Sequence, residues 1–176
     1  KNLFTSNETP AEEYQYAYKE GNIINLDDIT HIEYLKNALG GKLPETMCCR
    51  YNPGAAKHGC NSIIGKPEEA KYGMTREQIL EAYKIMKAEG VKHFGLHTMV
   101  ASNELNPDFF VDTAKLVFEL AVELKEKDDV RIEFTDLGGG LGIPYKPDQR
   151  KVDYNEIAKK IRKIYDEIIV PAGLDP

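Results

Sequence analysis

The sequence predicts an α/β fold of about five consecutive strand–helix units built on a parallel sheet. Three observations carry that reading. Short apolar, β-branched runs alternate with amphipathic helical patterns along all 176 residues, the arrangement expected of parallel strands joined by helical crossovers. Polar residues collect where each run ends: Thr5 and Ser6, Asn25 and Asp27, Arg50 and Asn52, His97 and Thr98, then Asp136. The last run passes directly into a glycine-rich loop, Asp136-Leu137-Gly138-Gly139-Gly140-Leu141-Gly142. In barrels and open α/β sheets the C-terminal strand ends form the ligand face, so these residues are expected to share one site.

The strands are placed at residues 2–5, 22–26, 46–51, 92–97 and 130–137, each bounded by turn formers. Helices fill the intervals. Thr9 is expected to cap the first, with Pro10 at its first position and Gly21 beyond its end. Asp27 and Asp28 read as the cap of the second, whose Ile29, Ile32, Leu35 and Leu39 share a face. Thr75 and Gln78 make a capping box ahead of Ile79, Tyr83 and Met86, and Gly90 stops that helix. Asn106-Pro107 opens a long helix carrying Phe110, Ala114, Val117, Leu120, Ala121 and Leu124. Asp153 and Glu156 precede Ile157, Ile161, Ile164 and Ile168, with Pro171 as terminator. One connection breaks the rhythm: residues 52–74 are too long and too rich in Gly and Pro for a plain βα turn, and such loops commonly shape a site.

A composition of 41% hydrophobic and 30% charged residues is that of a globular domain, and one domain over residues 1–176 is the default. The net charge of −6, without a Lys/Arg cluster, argues against a nucleic-acid partner. No apolar run reaches the ~20 residues of a membrane span and no signal-peptide layout opens the chain, so the sequence is of a cytoplasmic type. Cys48, Cys49 and Cys60 form no CxxC pair, and adjacent strand residues face opposite ways, so Cys48 and Cys49 are expected to pack as free thiols. The chain opens on Lys1 and closes on Pro176. Neither end reads as a domain boundary, and the chain is expected to be a piece of a longer protein.

The glycine loop carries the chemistry. Glycine lets several backbone N–H groups converge on one anion, which makes the loop a phosphate cradle. It fails the dinucleotide fingerprint, because the third glycine would fall at Ile143 or Tyr145. The alternative is a glycine-rich surface loop. Arg50 has two readings of its own, a ligand contact or an ion pair with a strand-end carboxylate. His93 and His97 lie four residues apart, roughly 13 Å along a strand, too far to share a metal, and His31 and His58 lack partners at ligand spacing.

Four segments in series, CCRYNPG at 48–54, KYG at 71–73, FGLHTMVAS at 94–102 and TDLGGGLGIPY at 135–145, resemble the fold-type III pyridoxal-phosphate-dependent decarboxylases, the diaminopimelate decarboxylases above all. The resemblance runs from the third to the seventh strand–helix unit of that family's barrel and so implies a partial (β/α) TIM-type barrel. It implies that Gly138, Gly139 and Gly140 supply phosphate-binding amides, that Ser102 bonds the same phosphate, and that Arg50 lies beneath the pyridine ring. His97 matches the first histidine of a His-x-His segment. The second, which stacks on the ring, is replaced by Met99.

The same resemblance places the Schiff-base lysine before this chain, and the Glu-Pro-Gly-Arg segment and the Cys-Glu pair of the C-terminal β-domain after it. It thus implies no catalytic residue here, a cofactor-binding half-site for pyridoxal 5'-phosphate, and no activity for the chain alone. The implied substrate is a diamino acid, meso-diaminopimelate first, with ornithine, arginine and carboxynorspermidine as alternatives. A homodimer is expected, and a non-catalytic phosphate-binding half-barrel is the reading from another class.

Overall fold

The computed structural model describes residues 2–54 and 71–176. Five strands, β1 (Leu3–Thr5), β2 (Ile23–Leu26), β3 (Thr46–Tyr51), β4 (His93–Thr98) and β5 (Ile132–Asp136), form one sheet in sequential order. Every pairing is parallel. Five helices alternate with the strands: α1 (Ala11–Lys19), α2 (His31–Ala38), α3 (Arg76–Ala88), α4 (Pro107–Asp128) and α5 (Tyr154–Ile168). The sheet is open among the described residues, as a partial barrel requires, with β1 and β5 at its edges.

Strand alternation sorts side chains onto two faces. Ile24, Leu26, Met47, Cys49, Tyr51, Phe94, Leu96 and Ile132 face the helices and pack with Ile32, Leu35, Ile79, Met86, Val117 and Leu124 in one core. Each fully buried aliphatic side chain there contributes roughly 1.5–3 kcal/mol. The Tyr83 hydroxyl reaches from α3 to the sheet, donating to the Gly95 carbonyl and accepting the Cys49 N–H at 3.3 Å, and burial raises its pKa well above the ordinary value. The opposite, inner face carries Asn25, Cys48, Arg50, Gly95, His97, Phe134 and Asp136. The register slips between Phe94 and Gly95, which pair with Ile132 and Phe134. Glu133 is therefore a bulge residue. Without it Phe134 would face the helices; with it the ring fills the space a Cβ at Gly95 would need.

Three helix starts match their sequence signals. Thr75 and Gln78 close a reciprocal capping box, with bonds of 3.3 and 2.9 Å. The Asn106 side chain accepts the Asp108 N–H at 3.1 Å with Pro107 at the first helical position. Asp153 accepts from Asn155 and Glu156 at 2.9 and 3.1 Å. Two starts differ. Pro10, not Thr9, holds the N-cap of α1, and no side chain caps it. Asp28 bonds the Thr30 N–H and hydroxyl at 2.8 and 2.6 Å, closing a turn ahead of α2 in place of a cap, and these bonds hold its carboxyl below the usual range.

β3 keeps the bounds expected from the sequence, β4 is shifted by one residue to His93–Thr98, and β1, β2 and β5 are shorter than their apolar runs suggest because the outermost residues leave the strand pairing. Cys48 and Cys49 are free and buried. Cys60, His58 and most of the long connection lie outside the described residues. Its far end returns to β3 through paired backbone bonds of 2.8 Å between Met74 and both Arg50 and Asn52.

Candidate functional site

The inner face brings the strand-end residues together in rungs set by register. Arg50 pairs with His97, and His97 with Asp136, on adjacent strands β3, β4 and β5. Arg50 Nη1 donates to Asp27 Oδ1 at 3.2 Å, and the two side chains are only 12% and 7% exposed. Its Nη2 donates to the Met99 carbonyl at 3.1 Å, and the Tyr72 ring lies 5.4 Å from the guanidinium carbon. The guanidinium is thus held from three sides with its plane defined, the geometry in which arginine differs most from lysine. Asp27 is not part of a helix cap: it is the buried counter-charge of Arg50. Its place on the inner face, two residues after Asn25, was legible from strand alternation.

The glycine loop lies against the β4–α4 connection. Gly138 and Gly140 have φ of 72° and 85°. A Cβ on Gly138 would strike the Thr98 carbonyl, and one on Gly140 the Ala101 carbonyl. The loop is fastened by backbone bonds of 2.8 and 2.9 Å between Glu104 and both Gly140 and Gly142. Gly139 differs from its neighbours. Its φ is not positive, and no atom stands within 4 Å of where its Cβ would be. Gly138 and Gly140 thus shape the turn, whereas Gly139 borders open space.

The loop amides suit an anion. The Gly138 N–H already donates to an Asp136 carboxylate oxygen at 2.8 Å. The Gly139 N–H rests on the Met99 sulfur at 3.3 Å, a weak acceptor that a phosphate oxygen outcompetes. The Ser102 backbone lies in the same corner, since a Cβ on Gly140 would come within 2.9 Å of its nitrogen. Open space beside Gly139 and a displaceable N–H bond fit a phosphate monoester.

His97 is buried and receives the Asn25 amide at 3.1 Å on Nδ1. Burial pushes its pKa below the ordinary histidine value; Asp136 and Asp27 oppose the shift, and Arg50 adds to it. The Met99 sulfur lies under the glycine loop, accepting the Gly139 N–H at 3.3 Å. His93, at the other end of β4, lies 2.8 Å from Glu133 on the exposed rim and stands apart from the site. Tyr72 completes the constellation with Asn25 and Asp27, which stand among the strand-end residues expected to share one site.

Residues 2–175 match the model of the pyridoxal-dependent decarboxylases' pyridoxal-binding domain. The chain belongs to this family. Within the family it is 29% identical to Protein TabA of Pseudomonas amygdali pv. tabaci over 164 residues, 92% of this chain and 37% of that protein. It is 30% identical to the diaminopimelate decarboxylase of Methanothermobacter thermautotrophicus over 174 residues, 98% of this chain and 40% of that enzyme. The crystal structure of the M. jannaschii diaminopimelate decarboxylase in complex with L-lysine superposes with a TM-score of 0.81 at 25% identity, covering 94% of this chain and 40% of that one. The chain spans about two fifths of the length of the relatives it matches. The decarboxylase family is thus shown together with its cofactor class, and the barrel of these relatives accounts for the open parallel sheet. No helix of the described residues is long and apolar enough to cross a membrane.

Proposed function

We propose that these residues form the phosphate side of the active site of a pyridoxal-phosphate-dependent amino-acid decarboxylase, which converts meso-diaminopimelate to lysine and carbon dioxide. The observation that carries the reading is the seating of the glycine loop. Gly138 and Gly140 lock it onto the Thr98–Ser102 connection, leaving the Gly139 N–H on a thioether beside open space. The diaminopimelate decarboxylases among the relatives, at up to 32% identity, support the substrate.

When bound, pyridoxal phosphate supplies an electron sink for the bond between Cα and the departing carboxylate. The Gly138–Gly140 amides and the Ser102 hydroxyl would hold its phosphate, and Arg50 would orient it. Asp27 and the Met99 carbonyl keep the guanidinium in one plane, so its charge is presented without a conformational search. His97 brings an uncharged imidazole to the inner face. The lysine that carries the cofactor and the acid that acts on the ring nitrogen belong, on this reading, to segments outside residues 1–176. Those residues then form the central-to-late part of an eight-unit barrel that is inactive by itself. Two free thiols at Cys48 and Cys49 suit a reducing cytoplasm; for these residues alone, whose open edges at β1 and β5 the other barrel strands would otherwise cover, a homodimer is the proposed form.

Titration of the full-length enzyme with pyridoxal phosphate, followed by absorbance, tests the cofactor. Carbon dioxide release from meso-diaminopimelate, ornithine, arginine and carboxynorspermidine compared side by side tests the substrate. Preference for any of the last three removes the diaminopimelate assignment; absence of cofactor uptake removes the whole reading.

A further inference from the structure

We propose that Asn25 is a positioning residue whose side-chain amide, anchored on Thr5, holds His97 in the tautomer that offers an Nε2–H donor to the inner face. Asn25 is 1% exposed and sits on β2. Its Nδ2 lies 3.3 Å from Thr5 Oγ1 on β1 and 3.1 Å from His97 Nδ1 on β4. The link to His97 crosses β3, a gap of two strand spacings, roughly 10 Å between backbones. It is possible because the inner-face neighbours of Asn25 along its rung are Cys48 and then Gly95, both small.

The direction of the bond follows from which polar atom is left over. Thr5 donates or accepts equally well, and a neutral imidazole does either according to its tautomer. With the amide NH₂ pointing to both partners, only Asn25 Oδ1 stays buried without a hydrogen bond. In the reversed amide the two N–H donors would be stranded instead, and buried orphan N–H groups are the rarer and costlier case. Nδ1 is therefore an acceptor, and the single proton of the neutral ring is on Nε2. The charged groups that face the ring are Arg50 on β3, Asp136 on β5 and Asp27 after β2. Burial and Arg50 together keep the ring uncharged against the two carboxylates.

The tautomer itself is independent of the cofactor; only the use of the Nε2–H for binding rests on the function proposed above. The test uses the full-length enzyme labelled with ¹⁵N-histidine, cofactor-free and with pyridoxal phosphate added, read by long-range ¹H–¹⁵N correlation. His97→Gln assigns the resonance. The expected spectrum shows an unprotonated Nδ1 and a protonated Nε2. Asn25→Asp replaces the donor by an acceptor, so the proton should move to Nδ1 and the His97 titration midpoint should rise. Asn25→Leu should give a mixture of tautomers. A wild-type ring protonated at Nδ1, or a tautomer unchanged in both Asn25 variants, overturns the proposal. Should the variants not fold, the wild-type spectrum alone decides. Cofactor uptake scored on the same sample separates the two ideas, since its failure removes the proposed function and leaves the tautomer result standing.

Discussion

Alanine at Gly140 and valine at Gly139 should damage the enzyme in different ways, although the two residues are adjacent. At Gly140 the backbone is left-handed, with φ of 85°, and an added Cβ meets the Ala101 carbonyl and comes within 2.9 Å of the Ser102 nitrogen. The conformation costs roughly 1–2 kcal/mol for an L-residue. Relieving the overlap with a backbone carbonyl adds an overpacking cost of about 1–3 kcal/mol. Gly140→Ala should thus lose about 2–5 kcal/mol of stability, read as a lower urea midpoint of the full-length enzyme at unchanged slope. At Gly139 neither cost applies, because the backbone is ordinary and the neighbouring space is open. Gly139→Val should leave the midpoint in place and weaken pyridoxal phosphate, since the side chain fills the space assigned to the phosphate. A stable Gly140→Ala variant refutes the packing argument. Undiminished cofactor affinity in Gly139→Val refutes the phosphate assignment.

Three further outcomes are expected. Asp27→Asn removes the counter-charge of a nearly buried arginine while keeping an acceptor, and should lower stability by about 1–3 kcal/mol; an unchanged urea midpoint would show that the Met99 carbonyl and Tyr72 suffice for Arg50. The folded-state pKa of His97 is depressed by burial, so below about pH 6.5 the unfolded chain takes up a proton the folded chain refuses. Its contribution is therefore neutral above that pH and destabilising as pH falls toward the folded value. Urea midpoints at pH 7.5 and 5.5 should diverge less in His97→Gln than in wild type, and an equal divergence would count against a buried neutral ring. Ser102→Ala should weaken pyridoxal phosphate about tenfold to a hundredfold, the worth of one hydrogen bond to a charged group; a loss larger than that of Gly139→Val would reverse the assigned order of the two contacts.

The five strand–helix units were legible because period-two apolar runs and period-3.6 helical faces differ in kind, and because the starts of α3, α4 and α5 carry local hydrogen-bonding side chains. The start of α1 was misread since Pro10 and Thr9 both satisfy the same rule, and nothing local distinguishes which residue leaves helical geometry. Among the residues named from motifs, Arg50 and His97 share one rung, and Gly138 and Gly140 lie against the Thr98–Ser102 segment. Their pairings were hidden, although Asn25 and Asp27 themselves stood at the expected strand end. Asp27, Asn25 and Tyr72 reach the site through strand register and long-range packing, and a one-residue slip such as that at Glu133 inverts which side chains face inward. A pattern along the chain does not record such a slip.

Gly95 is bound to its residue type for another reason than Gly140. Its backbone is ordinary, and what forbids a side chain there is the Phe134 ring lying across it. Positions 95 and 134 thus share a single allotment of volume, divided as nothing on one strand and a phenyl group on the next. Any enlargement at one must be matched by a reduction at the other, so Gly95→Ala should be tolerated in a Phe134→Leu background better than alone. Phe134 also precedes Asp136 by two residues on the same inner face, so the side chain that empties position 95 borders the rung of Arg50, His97 and Asp136.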